Sequence, residues 1–172
     1  MKTLRILYAG DSPAGGPANY LLGILKSLKA RVLHIPPDQK LDARFLKSHF
    51  DAILLSDYSK KQLPAASERV LVRQVEAGSG LLMVGGWGSF SGPYGGWKGS
   101  RMESLLPVTC LSRDDRKNFP GGAHVVLKRP HAMLDAISFK NPPAVLGLNE
   151  VHPKKNAEVI LAAREIISRP GR

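Results

Sequence analysis

The apolar residues in the first half of the chain come in short runs, separated by polar segments with helical periodicity. Four of these runs predict strands, at residues 3–9, 31–35, 51–56 and 81–84. Helices are predicted at residues 18–29, 41–50 and 64–77. Strands that alternate with helices are typical of right-handed crossovers in a parallel sheet with helices on both faces. The pattern therefore predicts an α/β fold.

Two of the predicted helices carry an apolar face. In the first helix this face consists of Tyr20, Leu21, Ile24, Leu25 and Leu28. In the third helix the core-facing side consists of Val70, Leu71, Gln74 and Val75. We expect both faces to pack against the sheet.

The fourth strand leads into residues 85–91, GGWGSFS, which we call the glycine turn. Glycine bounds the strand on both sides, which predicts a central strand buried on both faces. The glycines at positions 85, 86 and 88 allow the backbone to turn sharply. The turn then holds Trp87, Ser89 and Ser91 at the carboxyl end of the strand, where open α/β sheets bind ligands.

The second half of the chain predicts shorter elements. Strands at 108–111 and 124–128, separated by the charged run SRDDRKN, are interpreted as a small antiparallel appendage. A turn and a short helix are expected in RPHAMLDAI, and further apolar stretches follow at 144–148 and 157–163. With no internal repeat or linker, residues 1–172 are interpreted as a single domain.

Polar residues follow two of the predicted strands directly. Asp11 and Ser12 come after the first strand, and Asp57 follows the third strand at Ser56. Because the carboxyl ends of parallel strands meet at one edge of a sheet, these side chains are placed to face a shared crevice. The same residues are also typical turn formers and helix caps, so this pattern alone leaves both roles open.

The composition narrows the classes of function. The formal net charge is +11, but the basic residues are spread in pairs without a block, which favours a solvated basic surface over nucleic-acid binding. Cys110 is the only cysteine, so we expect a buried thiol and a reducing cytoplasmic location. No apolar run is long enough to span a membrane, and no histidine or carboxylate spacing predicts a metal or another cofactor.

Several motifs together resemble one family. Together they look like the class I glutamine amidotransferase-like family, over residues from about 3 to about 163. The segments that carry the resemblance are YAGDSP, FDAILLSD, VEAGSGLLMVGGWGSFSG, GSRMESLLPVTCLSRDDR and RPHAMLDAI. The resemblance implies a flavodoxin-like three-layer sandwich with a central, mostly parallel sheet. It also implies that the glycine turn occupies the place of the nucleophile elbow.

Working amidotransferases carry a cysteine at this elbow in a G-x-C-x-G context, with a histidine and a glutamate later in the chain. Here the aligned residues are GGWGS, and Cys110 lies on a later segment. Glutamine hydrolysis by a thiolate is therefore not expected. A hydrolase or amidase remains an alternative, with Ser89 or Ser91 as nucleophile, or an activated water, and His131 or Asp57 as base. A further alternative is a non-catalytic assembly module that binds no ligand.

Our preferred interpretation is a catalytically silent domain that binds a small polar ligand. Trp87, Tyr94 and Trp97 offer flat apolar surface, and Arg101, Arg113 or Arg116 could bind an anion, although Asp114 to Arg116 is also typical of a solvated turn. The predicted ligand-binding residues are Asp11, Ser12, Asp57, Gly86, Trp87, Ser89 and Arg101.

The C-terminal segment AEVILAAREII predicts an uncovered sheet edge, because relatives in the family continue into further strands where this domain is short. Uncovered edges invite pairing with another strand. We therefore expect a homo-oligomer formed through this edge.

Overall fold

The computed structural model describes residues 3–12, 16 and 18–167. Part of the glycine- and proline-rich segment between the first strand and the first helix, including Pro17, lies outside the described residues. Four strands form a parallel sheet in the order β2-β1-β3-β4, with β1 at Arg5–Gly10, β2 at Arg31–Ile35, β3 at Ala52–Ser56 and β4 at Gly80–Val84. The predicted α/β class is confirmed, and this order is typical of flavodoxin-like sheets.

Helices pack on opposite faces of this sheet. The described residues form three α-helices, α1 at Ala18–Ser27, α2 at Ala65–Glu76 and α3 at Arg101–Leu105. α1 packs its Leu25 against Ile6 and Tyr8, whereas α2 packs its Leu71 on the face that carries Leu7. Both sheet faces are apolar over β1 and β3, as expected for a parallel sheet between helices.

The predicted helix at 41–50 is only a 3-10 helix at Ala43–Leu46, which Asp42 caps by accepting a hydrogen bond from the Arg44 amide. Two further 3-10 helices lie at Lys60–Gln62 and Ala132–Leu134. The predicted core side of α2 is confirmed, since Leu71 and Gln74 are buried and Val70 and Val75 pack against the core.

The position predicted for β4 is wrong. The strand lies at the end of the sheet order, and its residues alternate between exposed and half-buried. Leu82 and Val84 are exposed because no described helix covers β4 on the α1 side of the sheet. Glycines on both sides of an apolar run therefore do not distinguish an edge strand from a central one.

The apolar face predicted for the first helix is also partly wrong. Leu25 is buried and Leu21 is half-buried, but Tyr20, Ile24 and Leu28 are exposed. The helix buries a narrower stripe than its sequence suggests, because no helix in the described part of the chain packs against that flank.

Five strands form two antiparallel sheets in the second half. They are β5 at Val108–Thr109, β6 at Arg116–Leu127, β7 at Ala144–Asn149, β8 at His152–Pro153 and β9 at Leu161–Glu165. β5 pairs with β8, while β7, β6 and β9 form a sheet in that order. The antiparallel appendage is thus present, but its two predicted strands do not pair with each other, and part of the charged run forms the start of β6.

β9 is an edge strand of the three-stranded sheet, and it begins at Leu161 rather than at 157. An edge therefore exists in the predicted C-terminal segment. Pairing of two copies through this edge stays a prediction.

Candidate functional site

The glycine turn is held from one side by Asp57. This residue directly follows β3 and takes a left-handed backbone conformation, with φ of 50°. Its Oδ1 accepts a hydrogen bond from the Gly88 amide. A Cβ at position 86 would lie 2.5 Å from the Asp57 Cγ, so only glycine allows this close approach. Asp57 and Gly86 therefore lie in direct contact.

Asn149, at the end of β7, holds the turn from the other side. Its Oδ1 accepts from the Gly86 amide at 2.8 Å, and its Nδ2 donates to the Gly86 carbonyl at 3.1 Å. The same Nδ2 donates to Asp115 Oδ1 at 2.6 Å. Sequence reasoning missed Asn149, because no local pattern relates it to a turn that precedes it by 63 residues.

Asp115 corrects part of the predicted solvated turn. The Asp114–Arg116 ion pair is exposed as expected, but Asp115 is fully buried. Its Oδ2 accepts from the Ser91 amide at 2.6 Å. The buried carboxylate therefore connects the far end of the glycine turn to Asn149.

Trp97 is not a ligand surface, in contrast to the prediction. It is fully buried, and its Nε1 donates to the carbonyls of Tyr58 and Gly88 at 2.9 and 3.0 Å. The buried indole thus holds the glycine turn through its hydrogen bond to the Gly88 carbonyl.

The candidate nucleophiles are engaged in structural hydrogen bonds. Ser89 is 1% exposed and donates its hydroxyl to the Val84 carbonyl, while Ser91 donates its hydroxyl to the Leu111 carbonyl. Positive φ falls on Phe90 rather than on Trp87 or Ser89, so neither of those residues has a strained elbow conformation. Neither serine presents a free hydroxyl to a substrate in this geometry.

His131 and Cys110 make no contact with the turn in the hydrogen bonds of the described residues. The His131 ring accepts from the Met133 amide and caps the 3-10 helix at Ala132–Leu134. Cys110 is buried, as predicted, and burial together with the charge of Glu103 raises the pKa of its thiol to about 12. The thiol is therefore protonated and unreactive at neutral pH.

Asp11 lies at the same edge of the sheet as Asp57. Burial and the negative charge of Asp57 raise the pKa of Asp11, although a hydrogen bond from the Ser56 hydroxyl opposes this shift. The Nε2–H of His34 donates to the carbonyl oxygens of Gly10 and Asp11, at 3.1 and 3.0 Å, which fixes the end of β1. Two acidic side chains thus face one crevice.

The remaining predicted ligand residues differ in position. Ser12 is exposed next to Asp11, whereas Arg101 is an exposed residue at the start of α3 and lines neither cavity beside Trp87.

Trp87 forms an exposed aromatic surface with Tyr94. The two side chains are 57% and 60% exposed, and their ring centroids lie 6.3 Å apart with planes inclined by 26°. The Arg116 guanidinium lies 4.7 Å from the centroid of the Trp87 ring and forms an ion pair with Asp114. Arg116 and Tyr94 therefore orient a large apolar side chain that remains open to solvent.

Two cavities adjoin Trp87. The smaller, of about 310 Å³, is lined by Pro37, Asp57, Ser59, Trp87, Gly88 and Tyr94. The larger, of about 550 Å³, runs between Trp87 and the antiparallel sheet, where Arg116, Asn118 and Asn149 supply polar groups. Both open at the carboxyl ends of β3 and β4, the predicted place for a ligand.

The raised pKa of Asp11 has a measurable consequence for stability. A folded-state pKa above the unfolded value means that stability is lost as pH rises through the folded pKa. We expect Asp11→Asn to raise the melting temperature by about 1–3 °C at about pH 7, and the gain to vanish at about pH 3. Thermal denaturation over this pH range, with the exposed Asp38→Asn as control, checks the sign. A gain that persists at low pH would contradict it.

The family model described as "putative glutamine amidotransferase" matches residues 17–170. The chain belongs to this family. The glutamine amidotransferase-like resemblance of the sequence is thus confirmed. A search among curated proteins found no match.

The fold of this chain is similar to the folds of two solved structures from Salmonella. The "Cytoplasmic Protein STM1381" from Salmonella typhimurium LT2 superimposes with a TM-score of 0.78 at 26% identity, covering 93% of this chain and 79% of the other. The "Cytoplasmic Protein STM3548" from Salmonella typhimurium has the same TM-score and coverage at 23% identity, and shows the fold alone. Among the described residues, no helix combines the length and apolarity needed to cross a bilayer.

Proposed function

We propose that this amidotransferase-like protein binds a small polar ligand in the crevice between the ends of β1 and β3 and the glycine turn, without thiol chemistry. The observation that carries the proposal is the exposed Trp87–Tyr94 pair, which shares a cavity with Asp57. Exposed aromatic rings beside a carboxylate are suited to a ligand with one apolar face and several hydrogen-bonding groups.

The chemistry of the crevice supports such a ligand. Trp87 offers a flat face that costs little conformational entropy to use, because Arg116 and Tyr94 already orient it. Asp57 uses one carboxylate oxygen for the Gly88 amide, and an ionised carboxylate can accept further hydrogen bonds. The polar groups of Asn118 and Arg116 extend the same surface into the larger cavity.

The proposal excludes a glutaminase mechanism for this chain. A thiolate at the elbow is the nucleophile of that reaction, and here the turn holds Trp87 while the single thiol of Cys110 is buried. We expect ammonia release from L-glutamine to equal that of a protein-free blank, and to be unchanged in Cys110→Ser. Hydrolysis above the blank that Cys110→Ser abolishes would contradict the proposal.

Ligand binding is tested by thermal shift with D-glucose, adenosine monophosphate and L-glutamine as probes of three ligand classes. We expect at least one probe to raise the melting temperature of the wild type, and Trp87→Ala to remove that rise. Leu146→Ala is the matched control, since Leu146 is an exposed apolar residue that lines neither cavity beside Trp87. An equal rise in Trp87→Ala and wild type would place the ligand elsewhere.

The cellular location belongs to the same proposal. We infer a cytoplasmic protein, supported by the single unpaired cysteine and by the word "cytoplasmic" in the names of both Salmonella proteins.

A further inference from the structure

The smaller cavity beside Trp87 has a negatively charged lining. Of the six described residues that line it, Asp57 is the only charged one. Its Oδ1 accepts from the Gly88 amide, and no Lys or Arg in the described part of the chain forms an ion pair with it. The chain as a whole has a formal net charge of +11. The charge of the cavity is therefore opposite to that of the protein.

The basic residues that follow this lining most closely in sequence do not neutralise Asp57. Lys60 forms an ion pair with Glu68 at 3.2 Å. Lys40 and Lys61 are exposed and line neither of the two cavities. Water and salt screen the charges of exposed side chains. A ligand in the smaller cavity would therefore meet the charge of Asp57 without a basic side chain against it.

Arg116 is a further basic group near the aromatic pair. Its guanidinium lies 4.7 Å from the centroid of the Trp87 ring, but it lines the larger cavity and not the smaller. Its Nε donates to both carboxylate oxygens of Asp114 at 3.1 Å, and its Nη2 donates to Oδ2 at 2.7 Å. The carboxylate of Asp114 balances the charge of Arg116, and the smaller cavity stays open beside Asp57.

A second carboxyl group lies close to Asp57. Burial and the charge of Asp57 raise the pKa of Asp11, against the effect of the hydrogen bond from Ser56. Residues 12–17, which follow Asp11, include no charged residue. A cation in the crevice would relieve the repulsion between the two carboxyl groups. The electrostatics of the crevice thus favour a positively charged ligand.

The aromatic pair supplies the second part of a cation site. The rings of Trp87 and Tyr94 are exposed, and both line the same cavity as Asp57. The face of an aromatic ring attracts a cation that lies within about 6 Å of the ring centroid. Trp87 already makes such a contact with Arg116 on the side of the larger cavity. A ligand cation in the smaller cavity would have two rings and a carboxylate around it.

The hydrogen-bonding groups of the cavity favour an alkylated ammonium over a primary one. A primary ammonium has three donors to satisfy. The lining offers one carboxylate, and one oxygen of this carboxylate already accepts from the Gly88 amide. A quaternary ammonium donates no hydrogen bond, and its methyl groups gain free energy when they are buried against aromatic rings.

We propose that the smaller cavity binds a small molecule with a quaternary ammonium group, held by the rings of Trp87 and Tyr94 and by the carboxylate of Asp57. The cavity volume of about 310 Å³ lies at the lower end of the range for ligand pockets, which suits a small ligand. Ligand binding in this crevice is the proposed function on which this assignment rests.

Choline and its neutral isostere 3,3-dimethylbutan-1-ol separate the effect of charge from that of shape. Titration of the wild type with each compound, followed by the emission of Trp87, gives the two dissociation constants. We expect choline to bind saturably below about 10 mM, and the neutral alcohol to bind about tenfold more weakly or worse. Ethanolamine, which has a primary ammonium, should also bind more weakly than choline. Neutral alcohol or ethanolamine binding as tight as that of choline overturns the proposal.

Asp57→Asn removes the charge while it keeps the glycine turn. Asparagine retains an acceptor for the Gly88 amide and tolerates the φ of 50° at position 57. We expect choline to bind this variant about fivefold or more weakly, with the affinity for the neutral alcohol unchanged. Asp135→Asn, which removes an exposed carboxylate that lines neither cavity, should bind choline as the wild type does. Equal affinity for choline in Asp57→Asn and the wild type overturns the proposal.

The probes also separate the quaternary ammonium site from the proposed function. A saturable response to D-glucose, adenosine monophosphate or L-glutamine, with none to choline, overturns the quaternary ammonium site and leaves the ligand crevice in place. If neither choline nor any of these three probes gives a saturable response, both proposals are wrong.

Discussion

Trp97→Ala is expected to lower the free energy of unfolding by about 3–5 kcal/mol, the range for removing a fully buried aromatic side chain. Trp97 is fully buried in the core beside Met102 and Cys110. Its loss would leave a cavity under the glycine turn and would remove the donor of the Tyr58 and Gly88 carbonyls. Urea denaturation followed by circular dichroism measures the change.

Two variants separate the contributions of Trp97. Trp97→Phe keeps most of the apolar volume but removes the Nε1 donor, so we expect an intermediate loss of stability. Trp87→Ala removes the same side chain from an exposed position and should cost about 1 kcal/mol or less. If Trp97→Ala costs no more than Trp87→Ala, the buried indole does not support the turn.

Asp115→Ala is expected to have the second largest effect, a loss of about 2–4 kcal/mol, because it leaves buried hydrogen-bond donors without an acceptor. The donors are the Ser91 amide and the Asn149 side chain, at 2.6 Å each from the carboxylate. Asn149 in turn binds both polar groups of the Gly86 backbone. The substitution should therefore loosen the turn as well as destabilise the fold.

The neighbouring positions supply controls for Asp115. Asp115→Asn keeps one acceptor oxygen and should recover part of the stability. Asp114→Ala removes an exposed carboxylate that forms an ion pair with Arg116 at the surface, so its stability should stay near that of the wild type. Equal losses in Asp114→Ala and Asp115→Ala would show that the buried network does not hold the turn.

The parallel sheet could be predicted from the sequence because each of its strands is a short apolar run, and the first three are each followed by a segment with a helical pattern. Local periodicity also predicted the core side of α2, where Leu71 and Gln74 are buried. The position of β4 could not be predicted in this way, since an apolar strand at an edge and one in the centre differ only in their neighbours. The exposure of Tyr20 and Ile24 could not be predicted either, because it depends on which elements lie beside α1 in the fold.

The candidate site was predicted only where its residues follow strands. Asp11 and Asp57 meet at one edge because β1 and β3 are adjacent and parallel. Asn149 and Asp115 reach the glycine turn from distant segments, and a sequence pattern carries no information on such contacts. Ser89 was expected in the crevice, but its small polar side chain satisfies the Val84 carbonyl inside the turn instead.

Tryptophan fluorescence tests the central claim, that Trp87 lines a ligand crevice, most directly. The chain has two tryptophans, Trp87 exposed and Trp97 buried, so a ligand in the crevice should change the emission of Trp87 alone. We expect at least one of D-glucose, adenosine monophosphate and L-glutamine to change the wild-type emission saturably below about 10 mM, and Trp87→Phe to lose that change. No saturable change with any probe, or an equal change in Trp87→Phe, would contradict the claim.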